Sequence, residues 1–170
     1  MNPAQYVLRH AAHECGHITV QYKMGRFVIF HFMPREVAGD GSNGVLEANV
    51  GTALKREDCP AIAASMIGEL IIMGDYDPDT IRDDEKDLAG KRLEDFAREA
   101  YEIIKENILF FTLLNIEARK KIMLVLNQFW NATPSQQAAM PQSITLLTLD
   151  EVDQLYSKAE SIVASLPKTR

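Results

Sequence analysis

"YVLRHAAHECGHITVQY" (residues 6–22) places three of the chain's four histidines, His10, His13 and His17, within eight residues of one another. Asn2 followed by Pro3 supplies a helix cap and a first-turn proline, and Val7, Leu8, Ala11, Cys15, Ile18 and Tyr22 then recur near the helical period until Gly25. The pattern predicts a helix with one buried stripe. Residues four apart lie one above the other on a helix, so His13 and His17 can aim imidazole nitrogens at one point. Glu14 is rotated by about 100° from His13, beside that point without blocking it. This is the His-Glu-x-x-His arrangement of zinc peptidases, in which the metal lowers the pKa of a bound water and the carboxylate moves its proton. A chance match is expected on the order of once per hundred chains of this composition.

Gly16 falls inside the motif helix, where glycine costs roughly 1 kcal/mol relative to alanine. Its presence there implies a close neighbour. Cys15 points toward the apolar stripe and reads as a small core residue. His10 shares the histidine face, either as a further ligand or as a histidine satisfied elsewhere.

The rest of the chain frames this helix. Its 170 residues suit one domain, and 46% apolar with 25% charged residues is ordinary for a globular chain. A net charge of -6 with no basic block argues against a nucleic-acid partner. The longest apolar runs, residues 27–33 and 108–116, are far below the ~20 residues of a membrane span. The N-terminal residues lack a basic segment followed by an apolar core, so a cytoplasmic protein is expected. Cys15 and Cys59, without close pairing, fit a reducing compartment.

"RFVIFHFM" and "VLEANV" read as two strands around the turn-prone "AGDGSNG". Asp58 and Pro60 open a core helix ending at Gly74, and "DYDPDTIRDDEKD" reads as an acidic loop. A third helix is expected from about Asp84 to Asn107, and a fourth over "NIEARKKIMLVLNQFW". "NATPSQQAAMPQS" reads as a loop, and Thr148 with Glu151 forms a capping box that starts a last helix running to about Leu166. The expected fold is α+β and mainly α-helical: one domain over 1–170, with motif helix and small sheet in 1–57, core helices in 58–131, and a loop and C-terminal helix in 132–170.

Catalytic zinc usually takes three protein ligands and leaves a place for water. Beyond the motif, the chain resembles the peptidase domain of FtsH-type membrane AAA proteases. "AAHECGHITVQY" is similar to that family's His-Glu-Ala-Gly-His helix, with Cys15 in the usual alanine position. "FVIFHFMPR" resembles its following strand, "IAASMIGELIIMGD" its next helix, and "DEKDLAGKRLEDFAREAYEIIKENILFF" the helix that brings in an aspartate ligand. "TLDEVDQL" resembles its C-terminal helix. The resemblance implies a zincin-like domain in which His13, His17 and Asp87 bind zinc and Glu14 is the general base. Asp87 follows His17 by 70 residues, and Asp84 and Asp83 stand as alternatives in the same run. Glu69 holds the place of an acidic residue near the site, either as acceptor for a ligating histidine or as the exposed position of a buried helix.

The chain departs from that family in three respects. The glycine and asparagine before the aspartate are absent, Lys86 standing for the asparagine. A Gly-x-x-x-x-Gly-Lys-Ser/Thr phosphate loop and a membrane segment are also missing. The expected activity is therefore ATP-independent zinc peptidase action on peptides or unfolded polypeptide, with substrate added as a strand to a sheet edge such as "FVIFHF". A separate ATPase partner and a homo-oligomer stay open. So do two rival readings: a catalytically silent binding or regulatory module that keeps the metal site, and a zinc hydrolase of a non-protein amide.

Overall fold

The computed structural model describes residues 3–26, 28–34, 44–47, 59–85 and 91–167. The motif segment forms helix α1 (Pro3–Lys23), followed by strand β1 (Val28–Phe32) and strand β2 (Gly44–Glu47). Helix α2 (Cys59–Met73) precedes a short helix α3 (Pro78–Glu85). A 3-10 turn at Leu93–Phe96 leads into α4 (Ala97–Glu106) and the long α5 (Ile108–Trp130). Helix α6 (Pro134–Ala139), strand β3 (Ile144–Leu147) and helix α7 (Leu149–Ser165) complete the described chain. The protein is thus mainly helical with a small antiparallel sheet.

Helix α1 is the hub, packing against α2, α4, α5 and the sheet. Val7, Ala11, Cys15 and Ile18 are buried as its periodicity requires, and Gly25 ends it in the left-handed region at φ 77°. Cys15 is a core residue, and both cysteines are buried. Helix α2 is buried almost all round, from Cys59 through Glu69. The two helices touch through backbone. A Cβ on Gly16 would stand 2.2 Å from the Ala64 carbonyl oxygen, and one on Gly68 would stand 2.2 Å from that of Ala12. Two Ala-x-x-x-Gly steps, Ala12 to Gly16 and Ala64 to Gly68, therefore interlock without side chains between them.

The sheet order is β2-β1-β3, with Phe30 opposite Val45 on one side and Leu147 on the other. Strand β1 is central. Its backbone is already paired on both sides, so "FVIFHF" is not an edge that a substrate strand could extend. Among the described residues the edges are β2, which packs near α1, and β3, which packs near α5. Thr148 and Glu151 cap α7 as a reciprocal box. Helix α7 then docks through buried Val152 and Ala159, with Tyr22 donating to Asp153 at 2.7 Å. Lys121 of α5 ties down β3 through the Leu146 carbonyl at 2.8 Å and the start of α7 through the Glu151 carboxylate.

Several elements differ from the sequence reading. The acidic stretch is no loop: Asp77 Oδ1 accepts the Asp79 amide at 2.9 Å, Pro78 occupies the first helical position, and Ile81 is buried as the anchor of α3. The expected third helix does not run unbroken from Asp84, since α3 ends at Glu85 and α4 starts only at Ala97. The expected fourth helix begins earlier, at Ile108. The loop before the last helix contains α6, whose capping box joins Thr133 and Gln136. Strand β3 was not anticipated, because four residues beside two prolines carry too short a pattern.

Candidate metal centre

His13 and His17 lie on the face of α1 that meets α2, and each ring is fixed by its Nδ1 nitrogen. His17 Nδ1 is 2.8 Å from the Ala61 carbonyl oxygen. A carbonyl only accepts, so that nitrogen carries a proton and Nε2 is the nitrogen left to face the site. His13 Nδ1 is 2.7 Å from Glu69 Oε2, buried between the helices. The Glu69 carboxylate also accepts from Arg9 at 2.9 Å and from the Asp77 amide at 3.0 Å, both on Oε1. Glu69 is therefore a buried acceptor for His13, and the alternative of an exposed position on α2 is excluded.

Both Nε2 atoms face one carboxylate oxygen. Asp84 Oδ2 is 3.2 Å from His13 Nε2 and 3.4 Å from His17 Nε2. Ser65 also hydrogen-bonds this oxygen through its hydroxyl. One ligand atom from each of His13, His17 and Asp84 lies within 4.8 Å of the others. Two imidazoles and a carboxylate suit a divalent metal ion such as zinc, and the His–Asp separations of 3.2 and 3.4 Å are close to the about 3.3 Å between ligands held ~2.0–2.1 Å from a tetrahedral zinc. Glu14 is buried beside the group, with Oε1 3.9 Å from His13 Nε2.

The electrostatics agree with a site built for a cation. In the metal-free chain, burial disfavours the His13 imidazolium, but hydrogen bonds to Asp84 and Glu69 and the nearby Glu14 charge raise its pKa well above the ordinary value. Burial also opposes the His17 imidazolium, and the charge and hydrogen bond of Asp84 raise it nonetheless. Burial alone would raise the Asp84 carboxyl, yet the facing histidines bring it far below the usual carboxylate range. Each ring thus faces an acidic partner that favours its protonated form when no metal is present.

Of the residues expected from sequence, the fold brings His13, Glu14, His17, Glu69 and Asp84 together. Asp87 lies outside the described residues, as does the Asp83 side chain. Asp84 was the alternative in the sequence reading. His10 is not in the group: its ring stacks on Tyr6 at 5.5 Å and approaches Phe30 and Phe32 at 6.0 and 5.8 Å. Burial and the like charge of His13 push its pKa down to about 3, so it is a neutral histidine packed among aromatic rings.

Ala61, Ser65 and Arg9 were not singled out by sequence reasoning. The signal was present in α2: Ala61, Ser65 and Glu69 recur at four-residue steps and form one face. Helix α2 runs antiparallel to α1, so Glu69 meets His13 while Ala61 meets His17.

Among the described residues, no helix is long and apolar enough to cross a membrane. Comparison of the chain with protein-family models, curated proteins and solved structures finds no match.

Proposed function

We propose that the protein is a zinc-dependent metallopeptidase of zincin-like, FtsH-type character, with His13, His17 and Asp84 holding the metal. The observation that carries this reading is the convergence of His13 Nε2, His17 Nε2 and Asp84 Oδ2 beside the Glu14 carboxylate. Zinc bound there would act as a Lewis acid and bring the pKa of a coordinated water to ~7.

The chain's own residues supply the remaining functions. Glu14 takes a proton from the attacking water and returns it to the departing amide nitrogen, the role of a general base that becomes a general acid. The carboxylate of Glu69 and the carbonyl of Ala61 fix each imidazole tautomer, so that both Nε2 lone pairs point inward. Substrates in this reading are peptides or unfolded polypeptide. An extended chain would add to β2, the sheet edge that packs near the motif helix.

The test is cleavage of casein and of a mixed peptide library by zinc-loaded protein and by Glu14→Gln. Cleavage that falls by ~10² to 10⁴ in the variant, with zinc retained, supports the mechanism. An unchanged rate contradicts it. Stoichiometric zinc without cleavage of any peptide would support a metal-binding regulatory module instead.

A further inference from the structure

Arg9 stands one turn before His13 on α1, and its guanidinium spans two carboxylates. Its Nη1 is 2.9 Å from Glu69 Oε1 and its Nη2 is 2.5 Å from Asp75 Oδ1, in the turn between α2 and α3. Glu69 is completely buried, whereas Asp75 is largely exposed. The buried anion therefore depends on three donors: the Arg9 guanidinium, the His13 ring and the Asp77 backbone amide.

The third donor has a consequence for the metal site. Asp77 is the residue that caps α3, and α3 carries Asp84 seven residues later. One carboxylate thus orients a histidine through Oε2 and anchors the start of the aspartate's helix through Oε1. Arg9 brings a permanent positive charge to that carboxylate, and its second arm reaches the same α2–α3 turn at Asp75. The Ser65 hydroxyl meets Asp84 from α2, so both ends of α3 are registered against the same helix.

We propose that Arg9 is a positioning residue of the metal centre: through Glu69 and Asp75 it locks the α2–α3 turn to α1 and so sets where Asp84 stands relative to His13 and His17. This rests on the metal-site reading, but its structural half concerns the metal-free chain and can be tested without zinc.

The experiment compares wild type with Arg9→Met, which keeps the aliphatic stem, and Arg9→Lys, which keeps the charge but cannot span both carboxylates. Zinc affinity is read by chelator competition, ligand geometry by the visible absorption of the cobalt-substituted protein, and α3 by amide hydrogen exchange without metal. Arg9→Met is expected to weaken zinc binding by ~10- to 100-fold, as loss of an outer-sphere partner does, with an altered cobalt spectrum and faster exchange over residues 77–85. Arg9→Lys is expected to recover part of each, and Asp75→Asn to change affinity by less than about threefold, as befits an exposed ion pair. Unaltered zinc affinity in folded Arg9→Met, or in Arg9→Lys should the first variant not fold, would overturn the proposal. If wild type binds no zinc, the metal reading fails separately. In that case selective loss of α3 protection still supports the positional role, and unchanged protection overturns it.

Discussion

Gly16 of α1 and Gly68 of α2 face each other across a contact so close that a Cβ on Gly68 would lie 3.3 Å from the Gly16 α-carbon. Side chains elsewhere on the two helices meet because their backbones meet here. The approach lets the Ala61 carbonyl and the Glu69 carboxylate reach the Nδ1 atoms of His17 and His13. Helix propensity alone would make Gly16→Ala stabilising by roughly 1 kcal/mol. The carbonyl at 2.2 Å reverses the sign. Overpacking costs about 1–3 kcal/mol or more, so Gly16→Ala is expected to lower the midpoint of thermal unfolding and to weaken zinc binding together. A more stable variant would show that the helices do not approach this closely.

Glu69→Gln tests the acceptor of His13. The amide keeps the size and one oxygen, but it loses the charge that Arg9 and His13 face. Zinc affinity in chelator competition is expected to fall by ~10- to 100-fold. An affinity equal to that of wild type would remove Glu69 from the site.

Metal binding is expected to be proton-linked with a definite sign. Without metal, the pKa values of His13 and His17 are raised, chiefly by Asp84 working against burial. Zinc needs both Nε2 lone pairs and must displace any proton held there. Affinity should therefore rise with pH through the raised histidine pKa values and level off above them, with a slope of up to about tenfold per pH unit for each proton released. Affinity that is flat or falls as pH rises over this range would contradict proton-linked binding.

His10 gives a second pH signature, in stability. Its folded pKa is depressed to about 3 by burial, against ~6.5 in an unfolded chain. Between these values the unfolded state binds the extra proton, so this group's contribution is retained above ~6.5 and is lost as pH falls, at up to ~1.4 kcal/mol per unit. Urea unfolding of His10→Phe, which preserves ring stacking, should show a shallower loss on acidification than wild type. Parallel pH profiles for the two proteins would place His10 in a more hydrated setting.

Much of this arrangement is legible in the sequence because local rules and the final fold agree. The heptad-like spacing of α1, the unbroken apolarity of α2 and the Thr148–Glu151 box each report an element that the structure contains. What escaped depends on tertiary partners. Helix α3 has Ile81 as its one described buried apolar residue, too little for periodicity, although Asp77-Pro78 is a usable start signal. Strand β3 is far along the chain from β1, its partner, and it is what makes β1 central rather than an edge. The aspartate ligand was ambiguous because Asp83, Asp84 and Asp87 share one acidic run. The docking of α3 through Glu69 and Ser65 brings Asp84 to the two imidazoles, whereas Asp87 lies outside the described residues.

The central claim is tested most directly by metal analysis of protein purified with zinc supplied, beside Asp84→Ala and Asp87→Ala. Stoichiometric zinc in wild type and Asp87→Ala, with its loss from Asp84→Ala, is the expected result. Wild type without zinc, or Asp84→Ala with its full complement, would contradict it.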